Sequence, residues 1–425
     1  MSTTWNAPRS GEIDAGPASL QTAGPNPSGS RLAELSPAIL TGIVAGYAGA
    51  LAILFWQHKW ILAPSGKPIA SDFLVYWTAG IAALQGKALA VYSVPAFHVM
   101  QVSHSGPFLD FYYWNYPPVV FFVLAVLGLL PFVFAFVLWV VGTGAACALT
   151  LGKVAAERTA ILAALASPAF LLTAYVGQNG FLTAALMGGF LLCLPARPLA
   201  AGVLLALLTY KPQFGILIPL ALIAGGYWRA MGWAIAVTVI TGAASALVFG
   251  AESYIVFIRS LSFVSHSYLT LGGEGWSKIE SIYSVSRFLG ANDTGGWVAQ
   301  FLLTAVCAIG IFRLWRSSLP FSLKAAGLVV AAMLSTPYLH EYDFPVLLTA
   351  FAFLYRHQPF DRGEWAAVLV ANLMIAGFFG QWAPIGPFIV LIAGAMVIRR
   401  AMSFQSSETA PLDADKVAIG VPAQG

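Results

Sequence analysis

The chain has 425 residues, of which 59% are hydrophobic and only 9% are charged, and its formal net charge is +4. Soluble domains usually carry roughly 25% charged residues, so this composition excludes a soluble globular protein and predicts an all-α, multi-pass membrane protein. The basic residues are scattered, with no run longer than Arg399-Arg400. They give no indication of a nucleic-acid partner.

The two ends of the chain differ from the rest in composition. Residues 1–36 are rich in Ser, Pro, Gly and Ala and contain no apolar run near their start, so we predict a disordered tail rather than a cleavable signal peptide. The first apolar run, Pro37 to Trp56, is then an uncleaved membrane anchor. Residues 401–425 are predicted to form a second disordered tail, which leaves 37–400 as one transmembrane domain.

A polar and aromatic segment follows the first apolar run, at about residues 57–116. Asp72 lies in it, within the sequence Ser71-Asp72-Phe73-Leu74-Val75-Tyr76-Trp77. An ionisable group in a membrane region is a functional candidate by default, because removing it from water is costly. The alternative is a helix N-cap or a solvated group at the membrane surface. Residues 73–84 are predicted to form an amphipathic helix at the membrane interface.

Apolar stretches fill most of the remaining chain, interrupted by a second polar segment at about 251–296. These stretches are residues 117–152, 159–176, 180–195, 199–209, 212–227, 231–250, 297–312, 325–339, 342–355, 365–379 and 382–398. Stretches 199–209 and 212–227 are short for full crossings, so we expect a re-entrant hairpin with Lys211 at membrane depth. Stretch 117–152 is predicted to give one crossing plus a re-entrant piece near Pro117-Pro118 or Pro131. About eleven to thirteen spans are expected in all.

Basic residues predict the orientation. They lie in short connections, each separated from the next by two apolar stretches: Lys153 with Arg158, Arg197, Arg229, Arg313 with Arg316 and Lys324, Arg356 with Arg362, and Arg399 with Arg400. The positive-inside rule places these connections in the cytoplasm. Both tails are then cytoplasmic as well, and the polar motifs between the connections face the other side of the plasma (inner) membrane.

Several short motifs occur in a recognisable order. They are Asp72-Phe73 with Tyr76-Trp77-Thr78-Ala79-Gly80, Leu84-Gln85-Gly86, Tyr92, Trp114-Asn115-Tyr116-Pro117-Pro118, Gly177-Gln178-Asn179-Gly180 and Lys211-Pro212-Gln213. In this order and spacing the chain resembles the glycosyltransferase 87 family, whose members are polytopic enzymes of the GT-C architecture. One departure is in the second polar segment. The family usually carries an Asn-Gln-Ser element followed by an Arg, whereas this chain has Glu280 in the corresponding stretch and then Arg287, which leaves the acceptor open.

The resemblance implies a function. Such an enzyme transfers a sugar, here mannose or a pentose, from a polyprenyl-phosphate donor to a lipid or cell-envelope glycan acceptor on the extracytoplasmic face, with inversion. It implies no cofactor, and no metal site is predicted, since Cys147, Cys193 and Cys307 lack metal-ligand spacing. The alternative is a transporter or flippase for a lipid-linked sugar. Transporters often show internal repeats, and the sequence shows none.

The chemistry of inverting transfer suggests roles for the candidate residues. The acceptor hydroxyl needs one general base, for which Asp72 is the first candidate and His340 the second. The leaving phosphate needs a cation, which Lys211 or Arg287 would provide. Further candidates for substrate binding are Tyr76, Tyr116, Gln178, Asn179, Glu280, Glu341 and Asp343. The alternatives are structural: Lys211 could snorkel to an interface, Gln178-Asn179 could cap helices, and Tyr116-Pro117-Pro118 could fix the start of a helix.

Overall fold

The computed structural model describes residues 37–108, 112–273 and 275–409. The predicted tail 1–36 lies outside these residues. Of the predicted tail 401–425, residues 401–409 continue the last helix and the rest lies outside. Within the described ranges the chain is helical, and its extended backbone pairs only at two isolated bridges, Leu62 with Pro68 and Ile279 with His340. The all-α prediction is confirmed.

The helices of the described residues are numbered here in chain order. They are α1 Pro37–Trp56, α2 Asp72–Leu84, α3 Val94–Ser105, α4 Phe121–Gly128, α5 Phe132–Ala155, α6 Thr159–Leu165, α7 Pro168–Val176, α8 Gly180–Cys193, α9 Pro198–Leu208, α10 Ile218–Gly225, α11 Trp228–Phe249, α12 Glu252–Ser265, α13 Ile282–Phe288, α14 Asp293–Arg316, α15 Phe321–Ser335, α16 Pro345–His357, α17 Arg362–Ala376 and α18 Gly386–Thr409. Single turns of 3₁₀ or π helix connect several of them, including Pro212–Gly215, His266–Thr270, Trp276–Lys278 and Glu341–Asp343.

Fewer helices than predicted are long enough to cross a membrane. In the part of the chain that the structure describes, six pass by length and composition: α1, α5, α11, α14, the Arg362–Gly380 segment and Gly386–Ser406 of α18. The bent pair α6 and α7, with a 56° angle between them, would make a seventh. The expected eleven to thirteen spans counted apolar stretches that the structure divides into shorter helices. At about 1.5 Å per residue such helices do not reach across a hydrocarbon core of about 30 Å.

Helix breaks occur in both of the stretches for which the sequence predicted re-entrant pieces, and the re-entrant path itself stays a prediction. Stretch 117–152 divides at Pro131, which precedes α5, into the short helix α4 and the long helix α5. Proline has no backbone N–H to continue the preceding helix. Stretches 199–209 and 212–227 form the short helices α9 and α10, and Lys211 in the connection between them is 3% exposed.

The predicted helix at residues 73–84 forms as α2, but the protein buries it rather than leaving it on the membrane surface. Nine of its 13 residues are buried. Gly80 explains the burial, since a Cβ there would lie 2.0 Å from the Leu124 carbonyl oxygen in α4. Glycines let two helix backbones approach closely in a membrane protein. This packing fixes the start of α2, where Asp72 lies.

Candidate active site

A cavity of about 630 Å³ opens beside the start of α2. Its lining comes from five separate parts of the chain, namely residues 59–76, 112–116, 175–178, 268–278 and 338–342, together with Phe136 and Gln381. A concave site of this size suits a small substrate or the head of a larger one. Six of the predicted site residues line it: Asp72, Tyr76, Tyr116, Gln178, His340 and Glu341.

Asp72 is the first residue of α2. The preceding residue, Ser71, is extended and provides no side-chain cap. The half-buried Asp72 carboxylate therefore lies at the positive end of the helix dipole, which stabilises a negative charge. The four residues of α2 that follow Asp72, residues 73–76, are at most 6% exposed. Their burial holds the backbone of Asp72 in place.

His340 begins the short turn Glu341–Asp343. Its backbone N–H donates to Asp343 Oδ2 at 3.2 Å, and its ring stacks on Tyr342 with 5.1 Å between the ring centroids. On the other side of the turn, the Glu280 N–H donates to the Leu339 carbonyl at 2.7 Å. The loop that carries His340 and Glu341 is thus tied both to its own turn and to the second polar segment.

A cluster of hydroxyl and amide groups forms the deep side of the cavity. The Tyr76 and Tyr116 hydroxyl oxygens are 2.8 Å apart, and Asn179 Nδ2 donates to each of them at 2.8 Å. The Tyr76 hydroxyl also donates to Gln178 Oε1. Gly177 permits this arrangement because its φ is +71° and a Cβ would lie 2.8 Å from the Phe73 Cβ.

Lys211, which the sequence predicted to bind the donor phosphate, lies behind the cavity and not among the residues that line it. Its Nζ pairs with Asp343 Oδ1 and donates to Asn179 Oδ1 at 2.9 Å. Lys211, Asn179 and Asp343 are 3%, 2% and 0% exposed, and none of them lines the cavity. The sequence offered no acidic residue within forty positions of Lys211, but the fold provides one from 132 residues downstream.

Glu280 and Arg287, also predicted to bind substrate, do not line the cavity either. Glu280 accepts a hydrogen bond from Gly386 N at 2.6 Å. Burial raises the pKa of its carboxyl group to about 8, although the Gly386 bond acts against this shift. Arg287 donates to the Thr270 and Ala291 carbonyls and lies over the Trp276 ring at 4.5 Å. In the structure Arg287 therefore holds the second polar segment together, and Glu280 ties this segment to the start of α18.

Two lysines that sequence reasoning did not single out line the cavity instead. Lys59 lies three residues after the end of α1, and Lys278 ends the Trp276–Lys278 turn. Among the lining residues they are the ones with a permanent positive charge. Both lie in the polar segments recognised in the sequence, but neither belongs to a motif. The one available signal for Lys278 was its place in the stretch where the chain departs from the family pattern.

The comparison with known families identifies the family of the chain. The model of glycosyltransferase family 87 matches residues 114–337, which is more than half of the chain. No curated protein and no solved structure matches the chain. The matched region contributes Tyr116, Gln178 and Lys278 to the cavity, while Asp72 and His340 lie outside it. The chain belongs to glycosyltransferase family 87 and is a membrane glycosyltransferase.

Proposed function

We propose that the protein transfers mannose or a pentose from a polyprenyl-phosphate donor to a lipid or cell-envelope glycan acceptor, with inversion, on the extracytoplasmic side of the plasma membrane. The observation that carries the proposal is the cavity that Asp72 shares with His340 and Glu341. The cavity begins three residues after α1, a helix that is long and apolar enough to span a bilayer. A donor with a lipid tail needs a reaction site near the membrane boundary.

The proposed reaction needs one base. The acceptor hydroxyl oxygen bonds to the anomeric carbon as the bond from that carbon to the phosphate oxygen breaks. The electron pair of the broken bond goes to the polyprenyl phosphate, and the hydroxyl proton goes to the Asp72 carboxylate. Direct displacement inverts the anomeric centre, so it requires no second carboxylate as a nucleophile.

Asp72 is the best placed of the carboxylates considered for this role. Asp343 is engaged by Lys211, and Glu280 is engaged by the backbone of Gly386. Of the predicted carboxylates, Asp72 and Glu341 line the cavity. Asp72 begins a buried helix, whereas Glu341 belongs to a single turn. A base must be held in a fixed geometry toward its substrate, which favours Asp72.

The donor phosphate is assigned to Lys59 and Lys278. A departing phosphate gains negative charge, and a nearby cation stabilises it. Trp60, which follows Lys59 in sequence, lines the cavity together with Phe136 and Tyr175, and the Trp60 and Phe136 ring centroids are 5.3 Å apart. A cation beside aromatic rings at the end of a membrane-length helix suits a ligand that is anionic at one end and apolar at the other.

Product formation tests the proposal directly. Purified protein is incubated with radiolabelled polyprenyl-phosphate mannose or pentose and a membrane lipid extract, and the products are separated. Asp72→Asn keeps the size of the side chain and removes its basicity, so turnover should fall by about a hundredfold or more. Glu341→Gln is the matched control, since it removes the other cavity carboxylate, and it should have a much smaller effect.

Two results would contradict the proposal. Near-normal turnover by Asp72→Asn would remove Asp72 as the base. Movement of the intact donor across proteoliposomes, with no transfer product from any donor, would instead favour a flippase.

A further inference from the structure

Behind the cavity wall lies a pair of opposite charges that the proposed reaction does not use. Lys211 Nζ pairs with Asp343 Oδ1, and both side chains are at most 3% exposed. Apolar residues of similar size often stabilise a buried position as well as an ion pair does. Stability alone is therefore a weak explanation for this ion pair. The other contacts of Lys211 and Asp343 indicate the role of the pair.

We propose that the Lys211–Asp343 pair is a positioning device that fixes two parts of the cavity at once, the His340–Glu341 turn and the Tyr76–Tyr116 pair. Neither Lys211 nor Asp343 is proposed to touch substrate. The inference rests on the proposed function, because it treats this cavity as the place of sugar transfer.

The first connection runs through Asp343. One carboxylate oxygen, Oδ1, pairs with Lys211, while the other, Oδ2, accepts the backbone N–H of His340 at 3.2 Å. Lys211 Nζ also lies 5.1 Å from the centroid of the Tyr342 ring, on which the His340 ring stacks. Lys211 therefore acts on the position of His340 through both the carboxylate and the tyrosine ring.

The second connection runs through Asn179. A lysine ammonium can only donate hydrogen bonds, so the Asn179 oxygen must face Lys211 and its NH₂ group must face the tyrosines. Nδ2 accordingly donates to the Tyr76 and Tyr116 hydroxyls. The lysine thus sets the direction of the hydrogen bonds at the deep side of the cavity, where Tyr76 and Tyr116 can meet a sugar.

The test separates positioning from direct binding. Lys211→Met, Asp343→Asn and the double variant are compared in the full-length protein by kcat and by KM for the donor. A positioning role predicts a fall in kcat of about tenfold or more, with donor KM changed by less than about threefold. The double variant removes both charges, so it should recover thermal stability relative to the worse single variant without recovering kcat.

A second buried pair gives a matched control. Arg400 and Glu364 are 5% and 4% exposed and also form an ion pair, and neither lines the cavity. The double variant Arg400→Met with Glu364→Gln should lower thermal stability and leave the kcat of the folded fraction unchanged. A similar kcat loss in this control would overturn the inference, since the effect would then be a general consequence of a missing buried pair.

Hydrogen exchange provides a readout that does not depend on the donor. The amide of His340 should exchange faster in Lys211→Met and Asp343→Asn than in the wild type, and at the wild-type rate in the control variant. Unchanged exchange at His340, or a donor KM raised about tenfold with kcat intact, would overturn positioning. If the wild type forms no product but the exchange difference is present, the proposed function fails and the structural connection remains.

Discussion

At the scale of single residues, charge at the cavity is divided between groups that line it and groups that lie behind it. Lys59 and Lys278 line the cavity, whereas Lys211 is held by Asp343. A ligand phosphate can meet the first two without breaking an internal ion pair. It could meet Lys211 only by displacing Asp343, and the displaced carboxylate would then be buried and unpaired, which is costly.

This division predicts the effect of removing each cavity lysine. Lys59→Met and Lys278→Met should each raise KM for the donor about tenfold, equivalent to about 1.4 kcal/mol, with little change in KM for the acceptor. Steady-state kinetics with the donor varied at saturating acceptor measures the first constant, and kinetics with the acceptor varied at saturating donor measures the second. Lys87→Met is the control, because Lys87 is an exposed lysine of the first polar segment that does not line the cavity. An unchanged donor KM in the double variant of Lys59 and Lys278 would contradict the assignment.

Four of the six predicted site residues that line the cavity share one property. Asp72, Tyr76, Tyr116 and Gln178 belong to local motifs in or beside the membrane segments, and a short motif keeps its own residues together in the fold. The Lys211–Asp343 pair joins residues that are 132 positions apart. Such a pairing follows from the packing of whole helices, which local pattern and composition do not specify. Lys59 and Lys278 were missed for the same reason.

At the scale of secondary structure, the start of α8 shows how closely the helices define the site. A Cβ on Gly180 would lie 1.7 Å from the Tyr342 carbonyl oxygen and 2.9 Å from its carbonyl carbon. The neighbour is backbone, so it cannot rotate away as a flexible side chain would. The same carbonyl accepts a hydrogen bond from Thr173 Oγ1 at 3.1 Å. The loop containing His340 therefore depends on a residue without a side chain at position 180.

We predict that Gly180→Ala displaces this loop and lowers kcat by about tenfold or more, because catalytic geometry tolerates little displacement. Gly142→Ala is the matched control, since a Cβ at Gly142 in α5 would meet nothing within 4 Å. Both variants are assayed for turnover and for thermal unfolding. Equal activity in the two variants would show that the loop adapts to the added methyl group.

The sequence predicted where helices form better than it predicted how long they are or what covers them. The apolar runs lead to helices because a chain in lipid must satisfy its own backbone hydrogen bonds. Their breaks depend on single residues, such as Pro131 before α5 and Ser167, whose side chain caps α7. The burial of α2 depends on Gly80 meeting α4, and this contact is invisible to a hydropathy pattern that reads one segment at a time.

At the scale of the whole molecule, two groups of contacts join distant parts of the described chain. In the first, Arg356 donates to the Lys153 carbonyl at 3.2 Å, and Arg399 and Arg400 pair with Glu364. These residues come from three of the basic connections predicted to share a face. In the second, Asp343 pairs with Lys211, and His340 pairs with Ile279 in an isolated bridge. The side of the membrane on which each group lies stays a prediction.

Cysteine labelling of sealed cells tests that prediction. Cys147, Cys193 and Cys307 are first replaced by alanine, and single cysteines are then introduced at exposed positions, Ser103 and Thr294 in or beside the polar segments and Arg229 and Arg316 in the basic connections. The positive-inside rule predicts that an impermeant thiol reagent labels positions 103 and 294 on intact cells. Positions 229 and 316 should react only after the membrane is opened, which also controls for accessibility.

The reverse pattern would place the cavity in the cytoplasm. A polyprenyl-phosphate sugar presented outside the cell could then not reach Asp72, so the labelling result bears on the donor as well as on the orientation.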